Sequence, residues 1–173
     1  MLNNGQIAKD LEQALEQAWS RDSAYPACQA DYDERDPSWG NCLVSALVIW
    51  SVQGGDLLAG KVDMPDQKDL WHFRNDFPAG TVDVTWRQFD EGSVFKPVVP
   101  MQSAAFKEMI VGSFFEDDTL LPRLKVLLKN MKDKAGYDCG RSAEDIVARL
   151  RDRFSYVRAP SFGSATGPAI EPF

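Results

Sequence analysis

His72 is the only histidine in the 173-residue chain, so any imidazole chemistry runs through it. It lies in Asp69–Asp76 (DLWHFRND), and Asp83 lies in Thr81–Phe89 (TVDVTWRQF). Both segments carry aromatic or β-branched residues in alternation, and the intervening Phe77-Pro78-Ala79-Gly80 is turn composition, which together predict an antiparallel hairpin. With Phe77 and Pro78 as the central turn residues, His72 faces Asp83 directly; with Phe77–Gly80 as a longer loop, the two become diagonal neighbours. Either register leaves both side chains on one sheet face. A carboxylate there fixes the imidazole tautomer and stabilises the imidazolium. Cys42 supplies a nucleophile. It follows Trp39-Gly40-Asn41 at the start of an apolar helical segment, where free amides and the helix dipole favour a thiolate. An adjacent imidazolium lowers the thiol pKa further, and the Cys42 N–H, lacking an intrahelical acceptor, is placed to meet an oxyanion.

Each residue also has a purely structural reading. Cys42 precedes Leu43 and Val44 and suits a core. His72 sits between Trp71 and Phe73 as a packing residue would, and Asp83 could be solvated or pair with Arg74. What favours chemistry is the joint placement of His72 and Asp83, which follows from spacing alone.

Around these positions, Ile7, Leu11, Ala14, Leu15, Ala18 and Trp19 recur at helical spacing, predicting an amphipathic helix over Gly5–Trp19 that ends near Arg21. Asp22–Gly40 has loop composition. Asn41–Gln53 is apolar on nearly every face and stops at Gly54–Gly55, so it belongs in the middle of a domain. Asp56–Val62 and Val98–Met101 read as short extended pieces. Ser103–Val111, Thr119–Lys132 and Ser142–Phe154 read as helices, the last opening on a Ser142/Asp145 capping box, and Glu116-Asp117-Asp118 as an acidic cap on Thr119. The expected architecture is α+β: a small antiparallel sheet packed on a central buried helix, with flanking helices. Residues 1–158 form one domain and 159–173 an irregular tail.

Composition narrows the partners. Nineteen Lys and Arg against 26 Asp and Glu leave a net charge of −7, which argues against nucleic acid or an anionic membrane as partner. Cys28, Cys42 and Cys139 are odd in number and widely spaced, the usage of a reducing cytoplasm. With one histidine and no ligand spacing, no metal or other cofactor is expected. Met1–Asp10 lacks a signal-peptide pattern, and the longest apolar run, Cys42–Trp50, is too short to span a bilayer.

The segment DPSWGNCLVSALVIWSVQGGDLLAGKV, residues 36–62, followed by WHFRNDFPAGTVDVTWRQF, residues 71–89, resembles the YunG-like family of small bacterial proteins. The matching pieces are Gly40-Asn41-Cys42, Gly54-Gly55, His72-Phe73-Arg74-Asn75, Asp83-Val84-Thr85 and Gln88-Phe89, with a fainter echo at Arg123–Leu128. The Cys-His-Asp order is similar to that of transglutaminase-like and papain-like thiol enzymes. The resemblance implies Cys42 as nucleophile, His72 as base, Asp83 as orienting carboxylate, and a core of that type. Asn41 stands where the family has Gln. Asp36 stands six residues before the cysteine, where papain-like enzymes carry an oxyanion-donating Gln, leaving Asn41 and Gln29 as candidate donors; Trp39 and Trp71 are candidate pocket walls. The expected activity is thiol-dependent acyl transfer on a peptide or other amide, by hydrolysis, deamidation or transamidation. The competing expectation is a non-catalytic binding or accessory protein on the same fold meeting a basic partner, a toxin or immunity component included.

Overall fold

The computed structural model describes residues 7–65, 67, 69–100, 103 and 119–155. Among the described residues, four α-helices and one sheet make an α+β fold. Helix α1 (Lys9–Ala18) buries Leu11, Ala14, Leu15 and Ala18, the stripe its periodicity predicts. The loop that follows contains two short 3-10 turns, Arg21–Ser23 and Pro26–Cys28. Helix α2 (Cys42–Gln53) is buried continuously from Leu43 to Ser51. It packs on the sheet and is covered by the two later helices, α3 (Leu120–Ala135) and α4 (Ala143–Ser155). Leu47, Val48 and Ile49 are at most 1% exposed; side chains of this size contribute roughly 1.5–3 kcal/mol each when fully buried. Trp19 Nε1 donates to Ser45 Oγ of α2 at 2.9 Å, so the helix's small polar residue is satisfied inside the core.

The sheet comprises β1 (Asp56–Asp63), β2 (Leu70–Phe77), β3 (Gly80–Val82) and β4 (Val94–Pro100), antiparallel in the order β3-β2-β1-β4. Edge strand β4 carries Pro97 and Pro100, residues a central strand would not tolerate. β2 and β3 turn through Pro78 and Ala79, with Phe77 paired to Gly80 and Asn75 to Val82. The turn is neither of the two expected, Phe77-Pro78 or Phe77–Gly80, although its register is the one the longer loop would give; Asp83 lies one residue past the end of β3 and meets His72 diagonally from there.

Two expectations are corrected. The strand expected over Thr81–Phe89 stops at Val82, and Trp86–Gln88 forms a 3-10 turn. The physical cause is Asp83: its Oδ1 accepts from Thr85 N at 3.2 Å and Thr85 Oγ1 at 3.3 Å, a side-chain turn that draws the backbone out of the ladder. The extended piece expected over Val98–Met101 begins earlier, at Val94. The Ser142/Asp145 capping box forms reciprocally: Asp145 N donates to Ser142 Oγ at 3.0 Å and Ser142 N to Asp145 Oδ2 at 3.2 Å. The expected helix over Ser103–Val111, the acidic cap at 116–118 and the tail 159–173 lie outside the described residues, apart from Ser103. No helix among the described residues is long and apolar enough to cross a membrane.

Candidate active site

Cys42 is the first residue of α2. The helical ladder opens with Ser45 N donating to Asn41 O at 3.1 Å, so the N–H groups of Cys42, Leu43 and Val44 have no intrahelical acceptor. The chain reaches this position through a tightly held turn. Asn41 N donates to Ser38 O at 3.0 Å and Tyr25 N to Gly40 O at 2.8 Å, while Ser38 Oγ donates to Asp36 Oδ1 at 2.6 Å. Gly40 has φ +73°, and a Cβ there would lie 2.7 Å from Cys28 Cβ and 3.0 Å from Tyr25 N. Only glycine fits that conformation and that approach.

On β2, His72 is fully buried. Its Nε2 lies 2.7 Å from Asp83 Oδ2; with Asp83 ionised, Nε2 carries the hydrogen and donates. Because Thr85 holds the other carboxylate oxygen, Asp83 is oriented as well as close. Three aromatic rings enclose the imidazole edge-on: Phe89 at 4.8 Å, Trp86 at 6.0 Å and Phe95 at 6.1 Å between centroids. Phe95 reaches over because Gly60, the β1 partner of His72, has no side chain; a Cβ there would lie 2.1 Å from the Phe95 ring. Burial works against the charged imidazole, yet the Asp83 hydrogen bond and the nearby Cys42 thiol and Asp83 carboxylate raise its pKa from 6.5 to about 9.

The Cys42 thiol shows the reciprocal effect. Burial pushes its pKa up, but the nearby His72 imidazole, the Phe73 backbone and the Arg123 guanidinium leave it below the ordinary value of 9.0. The contact is loose: His72 Nδ1 is buried with no partner in hydrogen-bond geometry, although the thiol is near enough to couple with the ring. Such spacing is common in a resting nucleophile–base pair. The other cysteines behave oppositely. Burial and the neighbouring Cys42 raise Cys28 to about 11, and burial raises Cys139. All three are free thiols.

Cys42 opens onto a cavity of about 150 Å³ whose wall contains Trp39, Trp71, Gln88, Phe89 and Arg123. Trp39 and Trp71 are thus both in the wall, Trp71 at 40% exposure. Trp39 Nε1 is buried and has no hydrogen-bond partner among the described residues. Asn41 and Gln29 are not in the wall. Asn41 Nδ2 donates to Pro37 O at 3.0 Å and Gln29 Nε2 to Ala24 O at 3.1 Å, so both amides are engaged in fixing loops.

Two residues escaped the sequence reading. Arg123, on α3, is buried and donates from Nε to Ser23 O at 3.0 Å and from Nη2 to Gly40 O at 3.2 Å, tying down the turn before Cys42 while placing a positive charge near its sulfur. Its signal was a cation inside the stripe Leu120, Leu124, Leu127 and Met131. Gln88 accepts from Gly40 N at 3.3 Å and donates to Thr85 O at 2.8 Å, linking the cysteine turn to the aspartate turn. No group of three or more His, Cys, Asp or Glu among the described residues is arranged to hold a metal ion.

Comparison with known proteins bears on this region. A family model described as "YunG protein" matches residues 7–112. The "Uncharacterized protein YunG" of Bacillus subtilis (strain 168) is 33% identical over 92 residues, which are 53% of this chain and 71% of that protein. No solved structure matches. The family match takes in Cys42, His72 and Asp83 and stops short of Arg123, and on its extent together with that identity the chain belongs to the YunG family.

Proposed function

We propose that the chain is a thiol-dependent acyl-transfer enzyme acting on amides, on a core of papain-like or transglutaminase-like type. Cys42 is the nucleophile, His72 the acid–base and Asp83 the orienting carboxylate. One observation carries the reading. A fully buried imidazole has one nitrogen held by a carboxylate at 2.7 Å and the other unpartnered, beside a thiol at a helix N-terminus.

The chemistry follows from that arrangement. The Cys42 thiolate attacks the amide carbonyl carbon, forming a C–S bond and moving the carbonyl π pair onto oxygen. The Cys42 N–H, without an intrahelical acceptor, is the donor this turn offers to that oxyanion. Collapse breaks the C–N bond as His72 Nδ1 gives its proton to the departing amine. Water or a second amine then attacks the thioester carbonyl and gives a proton to His72 Nδ1; the C–S bond breaks, releasing the acyl product and the Cys42 thiolate and regenerating the ion pair. Asp83 holds the ring's orientation throughout and stabilises the imidazolium whenever it forms. Free thiols throughout the chain suit a reducing cytoplasm as the compartment.

Alkylation with iodoacetamide, read cysteine by cysteine by mass spectrometry, tests the reading. An unperturbed thiol is about 0.3% ionised at pH 6, so Cys42 should react there at least tenfold faster than Cys28 or Cys139, and His72→Ala should erase the difference. A Cys42 that alkylates no faster than an unperturbed thiol defeats the proposal.

A further inference from the structure

We infer that the cavity at Cys42 receives an uncharged, bulky apolar group, an aromatic acyl group above all, attached to the carbonyl that the thiol attacks. The inference rests on the acyl-transfer reading and adds the substrate class.

The wall chemistry carries it. Apart from the thiols of Cys42 and Cys28, the cavity wall is mainly the aromatic residues Tyr25, Trp39, Trp71, Phe73 and Phe89 with Leu43 and Leu70. Its polar members are largely occupied. Arg123 gives Nε and Nη2 to the carbonyls of Ser23 and Gly40 and lies over the Tyr25 ring at 5.5 Å. Gln88 uses its oxygen on Gly40 N and its nitrogen on Thr85 O. An ammonium in the cavity would lose its water and meet the Arg123 guanidinium with no counter-charge, and a carboxylate would compete with the Cys42 thiolate for the charges of Arg123 and His72. One buried donor does stand open, the indole N–H of Trp39. A neutral ligand with one acceptor and a large apolar body satisfies both features, and an acyl group with its carbonyl is such a ligand. The cavity volume of about 150 Å³ is that of an apolar cavity able to take a single benzene-sized ring. Trp71, 40% exposed at the wall, offers a ring face for the ligand to cover.

The test separates binding from chemistry. In the full-length Cys42→Ala protein, the indole N–H signals are followed by NMR during titration with 3-phenylpropanamide, propanamide or succinamate, the Trp39 signal being assigned with Trp39→Phe. The aromatic amide should bind at least tenfold more tightly than the other two and shift the Trp39 signal, since apolar contacts discriminate by about this factor. Trp71→Ala, a substitution at a partly exposed site, should cut that preference several-fold while circular dichroism stays unchanged. Equal affinities for the three amides, or tighter binding of succinamate, overturn the inference. The alkylation experiment on wild-type protein reports on the thiol independently. Fast labelling of Cys42 with no aromatic preference removes the substrate class and leaves acyl transfer standing. Aromatic preference with an inert Cys42 upholds the cavity's ligand and removes acyl transfer.

Discussion

Replacing Asp83 with Asn keeps the shape of the group facing His72 and removes its charge. Asp83 Oδ2 lies 2.7 Å from Nε2 of a fully buried ring and heads the influences that raise the imidazole against its burial. Hydrogen bonds to charged groups contribute about 1.5–3 kcal/mol, which corresponds to roughly 1–2 pKa units. The His72 midpoint should therefore fall from about 9 by about that much. Because the chain has one histidine, nitrogen-detected NMR of the imidazole reads this without assignment. Stability should follow with a defined sign. A raised imidazole pKa stabilises the fold fully below the unfolded value of 6.5, and that stabilisation is lost as pH rises towards about 9; the ceiling is about 3 kcal/mol. Cys42 runs the other way: its lowered pKa contributes above its unfolded value of 9.0 and is lost as pH falls. Urea unfolding in a Cys42→Ala background isolates the imidazole's share. A wild-type midpoint at or below 6.5, or an Asp83→Asn midpoint unchanged within a few tenths of a unit, refutes the reasoning.

Two further perturbations probe what holds the thiol. Gly40→Ala forces a side chain into φ +73° and against Cys28 at 2.7 Å; it should cost about 2 kcal/mol in chemical denaturation and slow Cys42 alkylation at neutral pH. Arg123→Met leaves Ser23 O without its buried donor and Gly40 O with Tyr25 N alone, a loss of about 2 kcal/mol, and should move the pH profile of Cys42 alkylation upward because a nearby positive charge is gone.

The pairing of His72 with Asp83 was legible because strand periodicity conserves the face under any even register shift, so the turn did not have to be known. The buried character of α2 was legible from its uniform apolarity. The end of β3 was not, because alternation in Val84, Trp86 and Gln88 imitates a strand, whereas an aspartate accepting from the amide two residues on diverts the backbone. Arg123 was read only as part of an echo at Arg123–Leu128, since its partners Ser23 and Gly40 are 100 and 83 residues away and are backbone carbonyls, which leave no mark in side-chain sequence. Trp39 and Trp71 were identified as walls from their nearness to the cysteine. Asn41 and Gln29 were candidate donors on residue type, but each amide nitrogen is engaged by a carbonyl in its own loop.

The arginine clamp gives the site a timetable. On a ribosome, Cys42, His72 and Asp83 emerge long before residue 123, and until then the Ser23 carbonyl has only solvent to turn to and the Gly40 carbonyl only Tyr25 N. The nascent thiol thus waits on a late-synthesised helix to fix its turn, and a chain released early would carry all three groups without the brace that aligns them.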